Sequence, residues 1–438
     1  MESILEVTIW GKKVGVLAWD KSNDLGVFEF YDTFASFNLD LAPLTMPRDV
    51  VFGGDRIFSF PEHRVKTYKG LPGMLADSLP DDYGNAIIDE YFASRGFESV
   101  EITPVDRLCY VGSRGMGALE FHPAWDVKQL NSSSVIELGH LTALAGEILN
   151  AREKFQASLR NDDLSVQDIL RVGTSAGGAK PKAIIAWNEK TNEVRSGQVK
   201  APEFFSYWLL KFDGVSDNRL NDNPLGIGKI EYAYYRMASD CGIKMSDCRL
   251  LPDGKYSHFM TRRFDRRDDG TKLHVQTLCA IAHFNRDGRY SYEQAFQVMR
   301  RLHLPDGDMD QFYRRMVFNV VARNHDDHTK NHAFLMNDSG EWELGPAYDL
   351  CYSYSPTGKW TSEHQMSVNN KRSGFEYADL IAVSKNMGIR SAKEIIDQVN
   401  EVVSRWSDYA RDAGVQQEYA EEIGRNLRLS IINYPQME

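Results

Sequence analysis

No stretch of this 438-residue chain stays apolar for long enough to cross a bilayer, so no membrane-spanning helix is expected. The first residues, Met1-Glu-Ser-Ile-Leu-Glu-Val7, carry an early acid and no apolar run, which argues against a secretory signal. Cysteine is scarce. The five present (Cys109, Cys241, Cys248, Cys279 and Cys351) are scattered, odd in number and without a CxxC pair. That pattern excludes a disulfide framework and a zinc-knuckle type of site, and fits reduced thiols in a cytoplasmic protein. Positive charge is short as well: the net charge of −11 excludes a broad basic face for nucleic acid, though not a local basic patch. A Walker A loop is also lacking. Gly173 and Gly178 have its separation, but Ala179 stands in the place of the lysine, and Pro181 would disrupt the helix that such a loop requires.

What is present is the balance of a soluble globular protein, 42% hydrophobic and 26% charged, in a chain long enough for two or three cores. The first fifty residues alternate like strands. Leu5, Val7 and Ile9 share one face, followed by Val14–Trp19 and Val27–Tyr31, with turns at Gly11–Lys13 and Lys21–Asp24. Ile87, Ile88, Tyr91 and Phe92, after Asp81-Asp-Tyr-Gly84, predict a helix packed on that sheet. Gly112–Phe121 is dense in glycine; it reads either as a phosphate loop or as a glycine-permitted bend into a short strand. Ser134–Glu137 has capping-box form before a helix carrying Leu138, Leu141, Ala145 and Leu149.

In Arg171–Trp187, three glycines among small residues let backbone amides approach an anion, and Lys180 and Lys182 add charge. The segment then runs into an apolar strand, Ala183–Trp187. It reads as a loop lying over nucleotide phosphates, as in kinases, or as a tight hairpin with a basic rim. Tyr207–Phe212 is a further strand, with Lys211 either facing solvent or binding phosphates. A helix over Ile230–Cys241 follows, ended by Gly242. Glu231 in its first turn either pairs with Lys211 or complements the helix dipole. Phe259–Arg266 reads as an extended connector between lobes. Beyond it helices are expected over Leu278–Phe284, Tyr292–Leu302 after Ser291, a long segment with Phe312, Met316 and Val320, and then Ala378–Met387, Ala392–Tyr409 and Tyr419–Ile432.

The chain is organised around Asn319–His332, which leaves a helix and ends in a knot of carboxylate, imidazole, ammonium and amide groups. Pro346-Ala-Tyr-Asp349-Leu follows. A base candidate, a metal-binding amide and a later metal-binding aspartate, in that order, are what phosphoryl transfer from ATP needs.

Taken in order, Ser175–Lys182, Lys211, Arg263-Phe-Asp-Arg266, Asn324–Asn331 and Pro346–Leu350 resemble the HipA-type toxins, serine/threonine kinases of bacterial toxin–antitoxin modules. The resemblance covers almost the whole chain. It implies an α+β fold, two-lobed and protein-kinase-like, with an extra N-terminal β-rich subdomain over 1–125, an ATP-binding lobe over 126–262 and a helical catalytic lobe over 263–438. Leu71–Pro80 and Gly115–Phe121 look like the family's motifs in the first of these.

The resemblance further implies that Asp326 is the catalytic base and that Asn331 and Asp349 hold Mg²⁺ against ATP. Lys211 would bind the α- and β-phosphates, and Gly177, Gly178, Ala179, Lys180, Pro181 and Lys182 would cover the nucleotide. Backbone groups around Arg262, Arg263 and Phe264 would meet the adenine. His328, Thr329 and Lys330 would lie by the transferred phosphate, with Tyr348 beside Asp349. Ser175 matches a loop serine whose autophosphorylation switches the kinase off. The implied partners are a HipB-like helix-turn-helix antitoxin, operator DNA mainly through that antitoxin, and a protein substrate of the translation machinery such as an aminoacyl-tRNA synthetase. Two departures stand out. Ile230 replaces the asparagine often found before the helix glutamate, and Val275-Gln276 interrupts the usual His-Gln-Glu-Asp.

Two rival readings compete. His325-Asp-Asp-His328 with His332 could serve a metal-dependent phosphohydrolase, against which Lys330 places a cation inside the cluster. The other is a catalytically dead kinase scaffold that only binds an antitoxin.

Overall fold

The computed structural model describes residues 4–94, 96, 102–124, 133, 135–150, 169–170, 172–173, 181–215 and 225–432. Ser175 and the Gly177–Lys180 loop lie outside the described residues. The chain divides into two compact units. One comprises Met1–Gly228, Arg249–Gln276 and Met336–Gly340; the other Lys229–Cys248, Thr277–Leu335 and Glu341–Glu438.

The first unit holds two five-stranded sheets. In one, β1 (Ile4–Ile9), β2 (Lys12–Asp20) and β3 (Leu25–Phe30) form the expected antiparallel meander, flanked by β4 (Ile57–Phe58) on β3 and β5 (Leu119–His122) on β1. The first turn is tighter than Gly11–Lys13: Ile9 pairs with Lys12, and only Trp10 and Gly11 make the connection, at φ 48° and 73°. Two consecutive left-handed residues match the right-handed twist of the flanking strands, a conformation that glycine adopts freely and tryptophan adopts at a cost.

The second sheet runs β7-β6-β8-β10-β9, with β6 at Lys182–Asn188, β7 at Glu193–Ser196, β8 at Ser206–Lys211, β9 at Cys248–Asp253 and β10 at Tyr256–Arg262. The β6–β7 hairpin closes over the polar turn after Asn188, as its sequence predicts. The expected connector at Phe259–Arg266 is different: Phe259–Arg262 pairs antiparallel with Lys211–Trp208 and is a full strand. Its apolar, β-compatible residues have an open edge of β8 to pair with, and backbone groups that can pair inside a core do so.

The helix Asp82–Ser94 forms where Ile87, Ile88, Tyr91 and Phe92 predict it, but its buried face packs elsewhere than expected. Those residues share a core with Leu141, Ala145, Ala183, Ile185, Trp208, Leu210 and Met260, the second sheet and the helix Leu138–Asn150. Periodicity marks which face of a helix is apolar; it does not say which sheet receives that face.

The glycine-dense segment before β5 is a structural bend. Gly117, at φ 74°, donates its N–H to Asp265 Oδ2 (2.8 Å), while Arg266 donates to the carbonyls of Gly115 (2.7 Å) and Gly117 (2.8 Å). Asp265 is fully buried between Arg263 (2.7 Å) and Arg266 (2.7 Å). Burial pushes its carboxyl up, but the two guanidiniums and the Gly117 N–H outweigh this and hold it well below the usual carboxylate range. Asp265→Ala takes the carboxylate from two buried guanidiniums, so the expected cost is about 3 kcal/mol, read as a lower urea midpoint.

The second unit is mainly helical. Ser291 and Gln294 form a reciprocal capping box that starts the helix Tyr292–Arg301, and the long helix Asp306–Val321 follows. The helix at Leu278 stops at Ala282, because His283 turns left-handed at φ 54°. Arg405 divides Ala392–Ser404 from Trp406–Asp412, so the expected helix Ala392–Tyr409 is two helices. The expected Tyr419–Ile432 helix likewise resolves into Gln417–Asn426 and a short 3₁₀ turn at Leu429–Ile432. The helix expected from Ile230 starts at Ile227. Glu231 is therefore past the first turn and 6% exposed, which removes the helix dipole as its reason to be there.

Candidate active site

The buried face of the helix Asp306–Val321 is mostly apolar but carries Arg315 and Asn319, and Asn319 builds the site. Asn319 Nδ2 donates to the Tyr292 hydroxyl (2.9 Å), which donates to Asp327 Oδ2 (2.8 Å). Asn319 Oδ1 accepts from Asn324 Nδ2 (2.9 Å), and Asn324 Oδ1 accepts from the Ser353 hydroxyl (3.0 Å). Ser353 Oγ in turn accepts the backbone N–H of Asp326 (2.9 Å). A continuous set of hydrogen bonds thus fixes the loop after Arg323, a residue that itself turns left-handed at φ 60°. Fully satisfied buried networks of this kind specify one conformation.

The two adjacent aspartates have opposite surroundings. Asp327 is fully buried and accepts from Tyr292, from the Gln365 N–H (2.7 Å) and from His364 Nδ1 (2.9 Å). Arg428 stands 3.2 Å from His364 Nε2 and can only donate, so Nε2 is the acceptor and Nδ1 carries the proton toward Asp327. Asp326 has a side chain 47% exposed, 3.6 Å from His328 Nε2. His328 is held below its ordinary pKa chiefly by burial and also by Arg286, against the opposing pull of Asp326 and Asp349. It is therefore neutral at pH 7.

Asn331 Nδ2 donates to the Asp326 carbonyl (2.8 Å), which pins the amide and leaves Oδ1 as its outward group. The Tyr348 hydroxyl donates to the Lys330 carbonyl (2.6 Å), tying the segment of Asp349 to the same loop. Asp349 itself has φ 53°, a left-handed backbone that costs a non-glycine residue about 1 kcal/mol. Such strain recurs where a side chain must be aimed. Together these give one exposed carboxylate, one tethered amide oxygen and one strained carboxylate around a neutral histidine.

A family model described as HipA-like C-terminal domain matches residues 174–406, and a second, HipA N-terminal domain, matches residues 5–122. This chain belongs to the HipA family of serine/threonine-protein kinase toxins. The serine/threonine-protein kinase toxin HipA of Shewanella oneidensis is 21% identical over 369 residues, 79% of this chain and 74% of that protein. The solved structure of Shewanella oneidensis MR-1 HipA with HipB and operator DNA superimposes with a TM-score of 0.65 at 17% identity, covering 96% of this chain and 94% of the other. The fold is that of HipA, α+β and kinase-like.

Of the residues that the family resemblance selects, Asp326, His328, Lys330, Asn331, Tyr348 and Asp349 come together within the second unit. Thr329 does not offer its side chain: its hydroxyl is buried and donates to the Phe284 carbonyl (2.9 Å). Pro181, Lys182, Lys211, Arg262, Arg263 and Phe264 belong to the first unit. Arg262 is paired with Asp268 (2.6 Å), and Arg263 spends its side chain on Asp265 and its backbone N–H on the Tyr207 carbonyl (2.9 Å). Neither arginine side chain is left for a nucleotide. Lys211 Nζ lies 5.7 Å from the centre of the Phe259 ring.

Val275-Gln276, the family departure, is also structural. Gln276 donates to His274 Nε2 (2.9 Å) and to the Leu41 carbonyl in a buried site. His325 and His332 are buried apart from any common centre. His325 packs 4.1 Å from the His364 ring, and His332 packs 5.1 Å from the Phe312 ring; burial pushes their pKa values down to about 2 and about 3. The histidine–aspartate cluster that would serve a hydrolase is thus split among separate jobs. Sequence reasoning missed Ser353, Tyr292 and His364, the groups that hold the loop. Asn319 was the available signal, a lone amide on a face otherwise made of Phe312, Met316 and Val320.

Proposed function

We propose that this chain is a Mg²⁺-ATP-dependent serine/threonine protein kinase that arrests growth by phosphorylating a component of translation, such as an aminoacyl-tRNA synthetase. The observation that carries the reading is the contrast within Asp326-Asp327: one carboxylate is buried as an anchor, and the other is exposed on the loop so anchored. In this reading Asp326 orients a serine or threonine hydroxyl and accepts its proton. Lys330 places a positive charge by the transferred phosphate. Asn331 Oδ1 and the Asp349 carboxylate suit Mg²⁺, which takes hard oxygen donors and here would neutralise charge on the ATP phosphates. Lys211 contacts the α- and β-phosphates, the 177–182 segment covers the nucleotide, and backbone groups near Phe264 meet the adenine. The residues 1–125, 126–262 and 263–438 act as N-terminal, ATP-binding and catalytic parts.

Ser175 is the proposed site of inhibitory autophosphorylation, since a dianion in a glycine turn repels the phosphates of ATP. The Shewanella oneidensis structure, solved with HipB and operator DNA, supports a HipB-like antitoxin as the partner here, with DNA bound mainly through it. Incubation with γ-labelled ATP and Mg²⁺ should label the wild-type chain, and Mg²⁺-ATP at about a hundred times its Kd should stabilise it by about 2.7 kcal/mol. Ser175→Ala should lose self-labelling yet still phosphorylate the target found by phosphoproteomics after induced expression. Label lying wholly on other residues would reject Ser175.

A further inference from the structure

Lys182 is a buried lysine whose ammonium stands 3.2 Å from Asp81 Oδ2, both side chains 5% exposed. It is also the direct cross-strand partner of Lys211 in the β6–β8 ladder, and Lys211 is in turn opposite Phe259 in β10. Directly opposed residues in an antiparallel pair share a face with their Cβ atoms about 5 Å apart, so two lysines there repel. Something must hold both charges at this end of the sheet.

We propose that Asp81 is a positioning residue for the nucleotide: it holds Lys182 beside Lys211, so that the two ammonium groups together receive one polyphosphate. The inference rests on the kinase reading above and adds a residue from the N-terminal part of the chain. Asp81 is built for the task. Its Oδ1 accepts the Gly84 N–H (2.6 Å) at the start of the helix Asp82–Ser94, which leaves Oδ2 for Lys182. Its backbone is fixed as well, because Asn85 donates its N–H to the Asp81 carbonyl (2.7 Å) and its side chain to the Pro80 carbonyl (2.7 Å). Arg107 holds the Asn85 amide in place (2.8 Å). Burial pushes the Asp81 carboxyl up, and Lys182 with the Gly84 N–H offsets this only in part. A purely structural ion pair would not need to sit opposite a second lysine.

The test is a double-mutant cycle on Mg²⁺-ATP affinity, measured by calorimetric titration of the full chain. Asp81→Asn and Lys182→Met should each weaken binding about tenfold, and the double variant no more than either alone. Lys182→Arg should keep most of the affinity. The double variant removes both buried charges and should regain thermal stability while its ATP affinity stays low. Recovery of affinity with stability would show the pair to be structural and overturn the proposal. So would wild-type affinity in either folded single variant. If Asp81→Asn does not fold, Lys182→Met and the double variant decide the matter by the same criteria. A wild-type chain that binds no Mg²⁺-ATP would overturn the kinase reading itself, a result separable from an unchanged variant of a chain that binds.

Discussion

Asp326→Ala lowers phosphoryl transfer by about 10³-fold while the chain stays folded and still binds Mg²⁺-ATP. The expectation follows from what the side chain touches. The Asp326 side chain is about half exposed and lies 3.6 Å from His328 Nε2, and its structural duties are carried by its backbone, through the N–H to Ser353 and the carbonyl to Asn331. Removing the carboxylate takes away the group proposed to orient and deprotonate the hydroxyl and leaves those backbone bonds in place. Initial rates with labelled ATP and calorimetric binding of Mg²⁺-ATP separate the two quantities. Full labelling by the variant would eliminate Asp326 as the base; lost ATP binding would show that it serves the nucleotide instead.

Asp327→Ala has the opposite profile, a loss of stability of about 4 kcal/mol. The substitution leaves the Tyr292 hydroxyl, the Gln365 N–H and the His364 Nδ1–H without their acceptor in a fully buried site, and leaves Arg428 facing an imidazole that has lost its partner. Urea midpoints measure the change directly. The same carboxylate gives an acid dependence. Burial raises its pKa, but His364, Tyr292 and the Gln365 N–H overcome that and set it below the ordinary carboxylate value. A depressed folded-state pKa contributes stability above the unfolded value, near 4, and loses it as pH falls toward the folded value. Wild-type stability should therefore decline below about pH 4, and Asp327→Asn should flatten that part of the decline. An unchanged acid limb in Asp327→Asn would assign the dependence to other carboxylates.

The neighbouring aspartates show where reading a sequence stops. Spacing marks where strands and helices form, because periods of two and of 3.6 residues are set by backbone geometry and survive without tertiary context. The meander of β1 to β3, the helix Asp82–Ser94 and the long helix before Asn324 all follow from that. The order of carboxylate, amide and later aspartate in Asp326, Asn331 and Asp349 is likewise a property of the chain alone, as is the HipA resemblance those residues carry.

Tertiary structure decided the partners. Nothing local distinguishes Asp326 from Asp327, since burial depends on Tyr292 and His364, some thirty-five residues away on either side. Nothing local says that Phe259–Arg262 finds an edge of β8, or that the helix Asp82–Ser94 packs on the second sheet. Nor does spacing reveal that Lys182 and Lys211 are opposed with Asp81 beneath one of them. Each depends on contacts distant in sequence, whose energies exist only once the chain has closed the loops between them.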